Sequence, residues 1–396
     1  MISGLRVALF SGNYNYTRDG ANVALNRLVG FLLSQGAAVR VYSPVVEAPA
    51  FLGTGDVIGV PSFPIPGRPE YRLVYRIGHR VSDDLRDFAP NIVHVSAPDI
   101  LGHWAVSYAR KCNIPVVASV HTRFETYLRY YHLGFLGWSI TAILRRFYRR
   151  CDAIVVPCES MADILRDQRM NCEIGIWPSG VDEDTFKPAL RSGEWRRGLG
   201  IGDDEVIVGF LGRLVLEKGL GVFCDTIDEL ARRGIKLRVL VVGEGPARIW
   251  FADRLPDAVF VGFQSGSALP RAIASMDLLL NPSVTETFGI VTLEAMSCGV
   301  PVVGADAPGT SSLVVDGVTG RLISPDNISS FADAVAAYVA NPAQRAAAGA
   351  NGTLAAANYS WDAVNRALTA NYLRVIERRA NAASADIQLY APKKIH

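Results

Sequence analysis

Short apolar runs alternate with longer segments of helical period along most of the chain. In the first half, the runs that predict buried strands are LRVALF, AVRVYS, NIVHVS, IPVVASV and DAIVVP. Between the first two runs, apolar residues recur at three- and four-residue steps and predict one face of a helix. The alternation restarts with EVIVGFLG, LRVLVVG, AVFVGF and DLLLNPS. Strands that alternate with crossover helices predict parallel sheets, so the expected fold class is α/β.

The alternation of strands and helices is interrupted at GIWPSGVDEDTFKP, which predicts a domain junction. A chain of 396 residues is too long for one ordinary core and suits two domains of roughly 150 to 200 residues each. We therefore predict a first domain over 1–185 and a second, similar domain over 186–358. An amphipathic helix over 359–380 has one apolar face suited to packing back on the first domain (Trp361, Val364, Leu368, Tyr372 and Val375). Residues 381–396 are predicted to form a flexible tail.

Composition describes a well-packed globular protein, with 49% hydrophobic and 20% charged residues. The formal charge of +2 gives no reason to expect a nucleic-acid partner. Six scattered cysteines without a CxxC pair suggest reduced thiols in a cytosol. The apolar run at the start is too short for a signal peptide, and no stretch reaches the roughly 18 to 20 apolar residues that span a bilayer. The expected location is therefore cytoplasmic.

Two glutamates flank a Thr-Phe-Gly turn in NPSVTETFGIVTLEAMSCGVPVV. The pattern predicts a strand, a loop that holds Glu286, and a helix with Glu294 on its second turn. Free N–H groups at the helix start, around Phe288 and Gly289, can bind phosphate, and carboxylates on either side can accept hydrogen bonds from sugar hydroxyls. The alternative is that Glu286 caps the helix and Glu294 is a solvated side chain.

Two cations follow another predicted strand, in FLGRLVLEKGL. The strand ends at Gly212, and Arg213 and Lys218 lie in the loop and helix start that follow. Ligands of parallel α/β sheets gather at the carboxyl ends of strands, and two fixed cations suit the two phosphates of a diphosphate. Ordinary surface charges are the alternative. The run LVVGEGP adds a second glycine turn after a strand, at Gly243.

Taken in order, GRLxxEKG, VGxGP and PSxxExFGxxxLEAMxxGxPVV resemble the motifs of the retaining glycosyltransferases of family 4. The resemblance covers nearly the whole chain. It implies the GT-B fold, in which two Rossmann-like domains face each other across a cleft and a C-terminal helix crosses back to the first domain. In the first half, SVHTRFETYLRYY is similar to a His-Thr segment of the mannosyltransferase and sulfoquinovosyltransferase branch, many of whose acceptors are lipids.

The resemblance also implies roles for individual residues. Arg213 and Lys218 would hold the donor's diphosphate, Glu286 the sugar hydroxyls, and Glu294 the ribose. His121 would contact the donor sugar from the facing domain, although a histidine at a strand end can equally be satisfied by its neighbours. The implied catalytic residues are His121, Arg213, Lys218 and Glu286. The implied donor-binding residues are Gly12, Gly20, Gly212, Arg213, Lys218, Gly243, Glu286, Phe288, Gly289 and Glu294; of these, Gly12 and Gly20 bracket the first strand-to-helix connection.

The implied chemistry needs neither a protein nucleophile nor a cofactor, and no metal is expected. Positioning and charge stabilisation would do the catalytic work. Asp182 and Asp184 form an Asp-x-Asp pair of the kind that binds a divalent metal in another glycosyltransferase fold. Here the pair falls in SGVDEDTFKP, which matches the interdomain hinge of family 4, so metal binding is not predicted.

The segment from 110 to 150 carries eight basic residues and one acidic residue, interleaved with aromatic residues. This composition favours peripheral contact with an anionic membrane surface, at the inner face of the cell membrane. A solvated helix face is the alternative.

The predicted function is retaining transfer of a hexosyl unit, with an α-linkage, to a lipid or lipid-linked acceptor. GDP-mannose is the favoured donor because of the branch resemblance, and UDP-glucose, UDP-glucuronate and UDP-sulfoquinovose remain open. A non-catalytic nucleotide-sugar-binding protein is the main alternative from another class of function. That function would require the loss of a catalytic residue, and none is missing. A nicotinamide-dependent oxidoreductase fits poorly, because GEGPAR places Arg248 where a dinucleotide-binding motif needs its third glycine.

Overall fold

A computed structural model describes residues 2–16, 20–65, 68–120 and 137–389. The chain forms two compact units. Unit 1 joins Met1–Pro178 to Trp361–His396, and unit 2 comprises Ser179–Ser360. The division falls before the predicted start of the second domain at 186, because Val181 N donates to Tyr359 O (2.8 Å) and the hinge segment thereby joins unit 2.

Unit 1 contains a seven-stranded parallel sheet in the order β3-β2-β1-β6-β7-β8-β9. Its strands are β1 (Arg6–Phe10), β2 (Ala38–Ser43), β3 (Asp56–Gly59), β6 (Ile92–Val95), β7 (Val116–Ser119), β8 (Ala153–Val156) and β9 (Ile174–Ile176). A separate antiparallel hairpin pairs β4 (Ser62–Ile65) with β5 (Arg68–Val74). The helices are α1 (Gly20–Ser34), α2 (His79–Phe88), α3 (Ile100–Lys111), α4 (Gly137–Tyr148), α5 (Glu159–Asp167) and, at the C-terminus, α14 (Trp361–Leu389). Central strands such as β8 are buried along their whole length, which explains their continuous apolar sequences.

The last helix packs in unit 1, as predicted. Val364, Leu368, Tyr372 and Val375 are buried in the same core cluster as the apolar residues of β1 and α1. The helix continues to Leu389, nine residues beyond its predicted end at 380. The sequence ANAASADIQL contains no glycine or proline that would end the helix earlier.

A buried polar cluster connects α14 to the sheet of unit 1. The ring of His94 on β6 is fully buried, and its Nε2 lies 3.1 Å from Ser119 Oγ on β7. Its Nδ1 lies within hydrogen-bond distance of the Tyr372 hydroxyl on α14. Trp177 Nε1 donates to Asn365 Oδ1 (3.3 Å) on the same helix. Helix α14 is therefore held by directional bonds as well as by apolar packing.

Unit 2 contains a six-stranded parallel sheet in the order β12-β11-β10-β13-β14-β15. Its strands are β10 (Ile207–Leu211), β11 (Arg238–Val242), β12 (Val259–Gly262), β13 (Leu278–Asn281), β14 (Val302–Ala305) and β15 (Gly320–Ile323). Its helices are α6 (Gly193–Gly198), α7 (Leu220–Arg232), α8 (Arg248–Arg254), α9 (Ala268–Ala274), α10 (Ile290–Ser297), α11 (Pro308–Ser311), α12 (Ile328–Ala340) and α13 (Pro342–Ala356).

A buried ion pair anchors the beginning of unit 2. Arg196 on α6 is 2% exposed, and its Nη1 donates to Asp277 Oδ2 at 3.0 Å. The same carboxylate accepts the backbone N–H of Ile207 (2.8 Å) and a hydrogen bond from Arg191 (2.7 Å). Asp277 thus connects α6 to the starts of β10 and β13.

Among the residues that the structure describes, none of the helices combines the length and apolar character needed to cross a bilayer. The six cysteines are all free.

Candidate functional site

Two glycines meet where β10 and β11 end in unit 2. Gly212 has a φ of +147° and Gly243 a φ of +143°, a region that favours glycine. Gly212 N donates to Val242 O (3.0 Å), and a Cβ on Gly243 would overlap Gly212 O. The carboxyl ends of these strands are therefore bare backbone, the form in which protein main chain can approach a phosphate closely.

The loop after Gly212 presents the two cations predicted to bind diphosphate. Arg213 is exposed, whereas the next residues, Leu214 and Val215, are 0% and 8% exposed and anchor the loop in the core. Lys218 ends a short 3₁₀ turn and is followed by Gly219 (φ +76°), where a Cβ would lie 2.8 Å from the Pro282 carbonyl oxygen. The close approach of the 282 segment fixes the start of α7, so the loop that carries both cations is held at each end.

The structure brings Lys218 and Glu286 into direct contact. Lys218 Nζ lies 2.9 Å from Glu286 Oε1, and the Glu286 side chain is only 11% exposed. The Thr285 hydroxyl donates to Glu217 O (3.1 Å), which adds a second bond between the same two loops. Helix α10 begins after Gly289 (φ +86°), without a side-chain cap. The alternative in which Glu286 caps this helix is therefore wrong.

Glu294 lies on the second turn of α10 and is partly buried. Loss of solvation, and secondarily the charge of Glu286, raises the pKa of the Glu294 carboxyl to about 8. The alternative in which Glu294 is an ordinary solvated side chain is wrong. Burial therefore favours the protonated form of this carboxyl.

A pH-dependent loss of stability is expected from Glu294. Because its pKa is higher in the folded than in the unfolded chain, its contribution to stability is present below pH about 4.5 and is lost as the pH rises through about 8. Glu294→Gln mimics the protonated form. Wild type and variant should melt at the same temperature near pH 4, and the variant at the higher temperature near pH 8. Thermal melts across this range, with exposed Glu217→Gln as control, check this; parallel curves for wild type and Glu294→Gln would contradict it.

Gly309, on α11, is a site residue that the sequence analysis missed. A Cβ on Gly309 would lie 2.6 Å from the Cβ of Glu286 and 2.7 Å from its carbonyl oxygen. A Cβ on Gly289 would in turn lie 2.8 Å from Gly309 O. The ring of Phe288 is buried against Tyr359, so only its backbone is left for a ligand. The one sequence signal for Gly309 was a Pro-Gly pair shortly after the VVGA strand.

The remaining predicted site residues belong to unit 1. Gly12 follows β1, and a Cβ there would overlap Asp99 Oδ2, while Asp99 Oδ1 caps α3 by accepting Gly102 N at 2.7 Å. Gly20 is the first residue of α1. His121 lies outside the described residues, and its role stays a prediction.

The Asp-x-Asp segment forms a turn. Asp182 O accepts the N–H groups of Thr185 (3.0 Å) and Phe186 (2.8 Å), and its Oδ1 lies 3.2 Å from Thr185 N. In the parts of the chain that the structure describes, no three His, Cys, Asp or Glu residues are grouped as metal ligands would be.

The solved structure of sucrose-phosphate synthase from Thermosynechococcus elongatus matches this fold with a TM-score of 0.77, at 18% identity over 94% of this chain and all of that one. The chain therefore has the GT-B fold of glycosyltransferases, built from two Rossmann-like domains. The model of the family "Glycosyltransferase Family 4" matches residues 18–185, and that of "Glycosyl transferases group 1" matches residues 205–341.

The chain belongs to glycosyltransferase family 4, as its motifs predicted, and is a glycosyltransferase. A GDP-mannose-dependent alpha-mannosyltransferase of Mycobacterium tuberculosis is 31% identical over 96% of this chain and the whole of the relative. Sulfoquinovosyl transferase SQD2 of Arabidopsis thaliana is 28% identical over 99% of this chain and 76% of its own length. Alpha-monoglucosyldiacylglycerol synthase of Streptococcus pneumoniae is 24% identical over 80% of this chain and 75% of its own. The predicted branch is confirmed.

Proposed function

We propose that the protein transfers a hexosyl unit, with retention, from a nucleotide-diphosphate sugar to a lipid or lipid-linked acceptor, forming an α-linkage. The observation that carries this proposal is the Lys218–Glu286 contact of 2.9 Å, which joins a cation suited to phosphate to a carboxylate suited to sugar hydroxyls. GDP-mannose is the favoured donor, since relatives that are similar along their whole length are GDP-mannose-dependent mannosyltransferases. A UDP-sugar donor is the second candidate, supported by the sulfoquinovosyltransferase and glucosyldiacylglycerol synthase relatives.

In the proposed reaction, Arg213 and Lys218 neutralise the donor's diphosphate and stabilise it as it leaves. Glu286, with the backbone amides of Phe288 and Gly289, holds the sugar hydroxyls, and Glu294 accepts hydrogen bonds from the ribose. The bond between the anomeric carbon and the phosphate oxygen breaks through an oxocarbenium-like state, and the acceptor oxygen bonds to the anomeric carbon on the same face. The acceptor proton passes to the leaving phosphate oxygen. Catalysis then consists of positioning and charge stabilisation.

His121 is proposed to contact the donor sugar, and Gly12 and Gly20 to border the phosphates and the acceptor. Glycine at position 12 lets the chain pass the buried Asp99 carboxyl without a side chain in the way. Gly212 and Gly243 are proposed to bring bare backbone close to the diphosphate.

No metal cofactor is proposed for this reaction. Two side-chain cations are available for the charge that a divalent ion would otherwise neutralise. Asp182 is engaged in the turn that opens unit 2. Turnover should therefore persist in excess chelator, and loss of activity that a divalent ion restores would contradict this.

The protein is also proposed to work in the cytoplasm, in peripheral contact with an anionic membrane. The lipid product in the name of one relative supports an acceptor that resides in a bilayer. The arginine-rich end of α4 is less suited to this contact than its composition indicated. Arg145 Nε donates to Gln168 O (2.8 Å), Arg149 Nε to Arg169 O (3.0 Å) and Arg150 Nη2 to Ser107 Oγ (2.7 Å). These bonds hold α4 to its own unit.

A thermal-shift screen of nucleotide sugars tests the donor assignment. GDP-mannose at about 100 times its dissociation constant should add about 2.7 kcal/mol of stability. If UDP-glucose, UDP-glucuronate or UDP-sulfoquinovose raises the melting temperature instead, that nucleotide sugar is the donor, and the proposed class of reaction is unchanged. Stabilisation without turnover on any lipid acceptor would favour the non-catalytic binding protein. If no nucleotide sugar changes the melting temperature, the proposed donor site is wrong.

A further inference from the structure

The β4–β5 hairpin exposes an apolar face. Phe63 lies opposite Leu73 in the antiparallel register, and Tyr75 follows Leu73 by two residues, so all three side chains share one side. The rings of Phe63 and Tyr75 are 5.9 Å apart. The three residues are 41%, 37% and 62% exposed, respectively. An exposed apolar face of this kind is a candidate interaction site.

The opposite face of the hairpin is fastened to the protein. Val74 is 3% exposed, and Arg72 donates from Nε to Ser62 Oγ (2.9 Å) and from Nη2 to Ser62 O (3.0 Å). These contacts fix the register of the two strands. Because the opposite face is packed and hydrogen-bonded, the hairpin keeps its apolar face towards the solvent.

Two exposed arginines follow this face in the sequence. Arg76 comes directly after Tyr75, and Arg80 lies in the first turn of α2. Apolar and tyrosine side chains bordered by arginines suit the boundary between lipid headgroups and acyl chains in an anionic membrane.

The hairpin also has a suitable position in unit 1. It begins three residues after Gly59, the last residue of β3, whose carboxyl end lies at the same edge of the sheet as the end of β1 and therefore Gly12. Parallel sheets bind their ligands at this edge. A membrane that contacts the hairpin would thus present its lipids beside the acceptor-side connection of unit 1.

We propose that the β4–β5 hairpin, with Phe63, Leu73 and Tyr75 at the bilayer surface and Arg76 and Arg80 on anionic headgroups, is the surface that docks this protein on a membrane. The proposal rests on the lipid acceptor proposed above. It assigns docking to the hairpin in place of the arginine-rich end of α4. A second copy of the chain is the alternative occupant.

The test is cosedimentation of the full chain with vesicles of phosphatidylcholine alone or mixed with an equal part of phosphatidylglycerol. Wild type should bind only the anionic vesicles and be released at 1 M salt, where the Debye length falls to about 3 Å. Phe63→Ser/Leu73→Ser/Tyr75→Ser and Arg76→Gln/Arg80→Gln should each weaken binding, the second by about 30-fold, since each arginine contributes about 5-fold. Thermal melts confirm that the variants are folded.

The matched control is Ile143→Ser/Arg146→Gln, which changes one exposed apolar and one exposed basic side chain on α4. It should bind vesicles like wild type. The proposal is overturned if wild type ignores anionic vesicles, or if the control loses binding while both hairpin variants keep it. It is also overturned if wild type is a dimer that the hairpin variants split without any change in vesicle binding.

Failure of this inference is distinguishable from failure of the proposed function. Donor turnover with water or a short-chain soluble acceptor does not need a membrane, so hairpin variants should keep the wild-type rate there. Loss of vesicle binding with that rate intact supports the inference. Absence of turnover on every donor and acceptor contradicts the proposed function, whatever the vesicles show.

Discussion

Replacing Lys218 by alanine should lower turnover on the order of 10²-fold or more, and Arg213→Ala should do the same. Each substitution removes a positive charge from the group that stabilises the departing diphosphate, where charge develops in the transition state. Steady-state rates with the donor found by the screen measure the effect. Lys236→Ala, an exposed lysine elsewhere in unit 2, is the control and should keep the wild-type rate. Near-normal rates in both folded variants would remove the basis of the donor-site assignment.

The two substitutions should differ in one respect. Lys218→Ala also leaves the Glu286 carboxylate without its partner at 2.9 Å, whereas Arg213→Ala leaves that pair intact. Effects of residues in contact are not additive. Combining Lys218→Ala with Glu286→Gln should therefore cost less than the product of the two single losses.

Arg196→Ala should lower the free energy of unfolding of unit 2 by about 3 kcal/mol, because the Asp277 carboxylate loses its buried partner and keeps only Arg191 and the Ile207 N–H. Arg197→Ala is a matched control one residue away. Arg197 pairs with Asp203 at 2.9 Å, but both side chains are more than half exposed, so its loss should cost less than about 1 kcal/mol. Urea unfolding of the two variants and wild type measures the difference. Equal losses in both variants would contradict the importance of burial.

The apolar runs predicted most of the parallel strands of both units, because those strands are buried on both faces and contain little else. The parallel strands β3, β9, β14 and β15 were not predicted. Between AVRVYS and NIVHVS no strand was expected, yet β3, β4 and β5 lie there. β3 is four residues long, and the prolines at 64, 66 and 69 obscured a hairpin. Proline is tolerated in such an edge position because it need not donate to a ladder. The sequence pattern of apolar residues is therefore least able to predict edge strands.

For the site, the motifs pointed to candidate residues in unit 2, but they did not show how those residues meet. Lys218 and Glu286 are 68 positions apart, and their contact depends on how two loops pack. The raised pKa of Glu294 depends on solvent exclusion by the fold, which the chemical identity of the residue does not reveal. Gly309 carries no functional group, and its importance comes from the space it leaves for Glu286.

The return of the last helix to unit 1 determines the order in which the protein can mature during synthesis. Unit 2 is continuous in sequence, so it is synthesised whole before α14, whereas the core around β1 and α1 lacks Leu368 and Tyr372 until that helix is made. The 218 residues from 179 to 396 take roughly 10 to 40 s at about 5 to 20 residues per second. For that time the nascent unit 1 exposes apolar surface that α14 later covers. A ribosome that stops before α14 therefore leaves a complete unit 2 attached to a unit 1 with an open core.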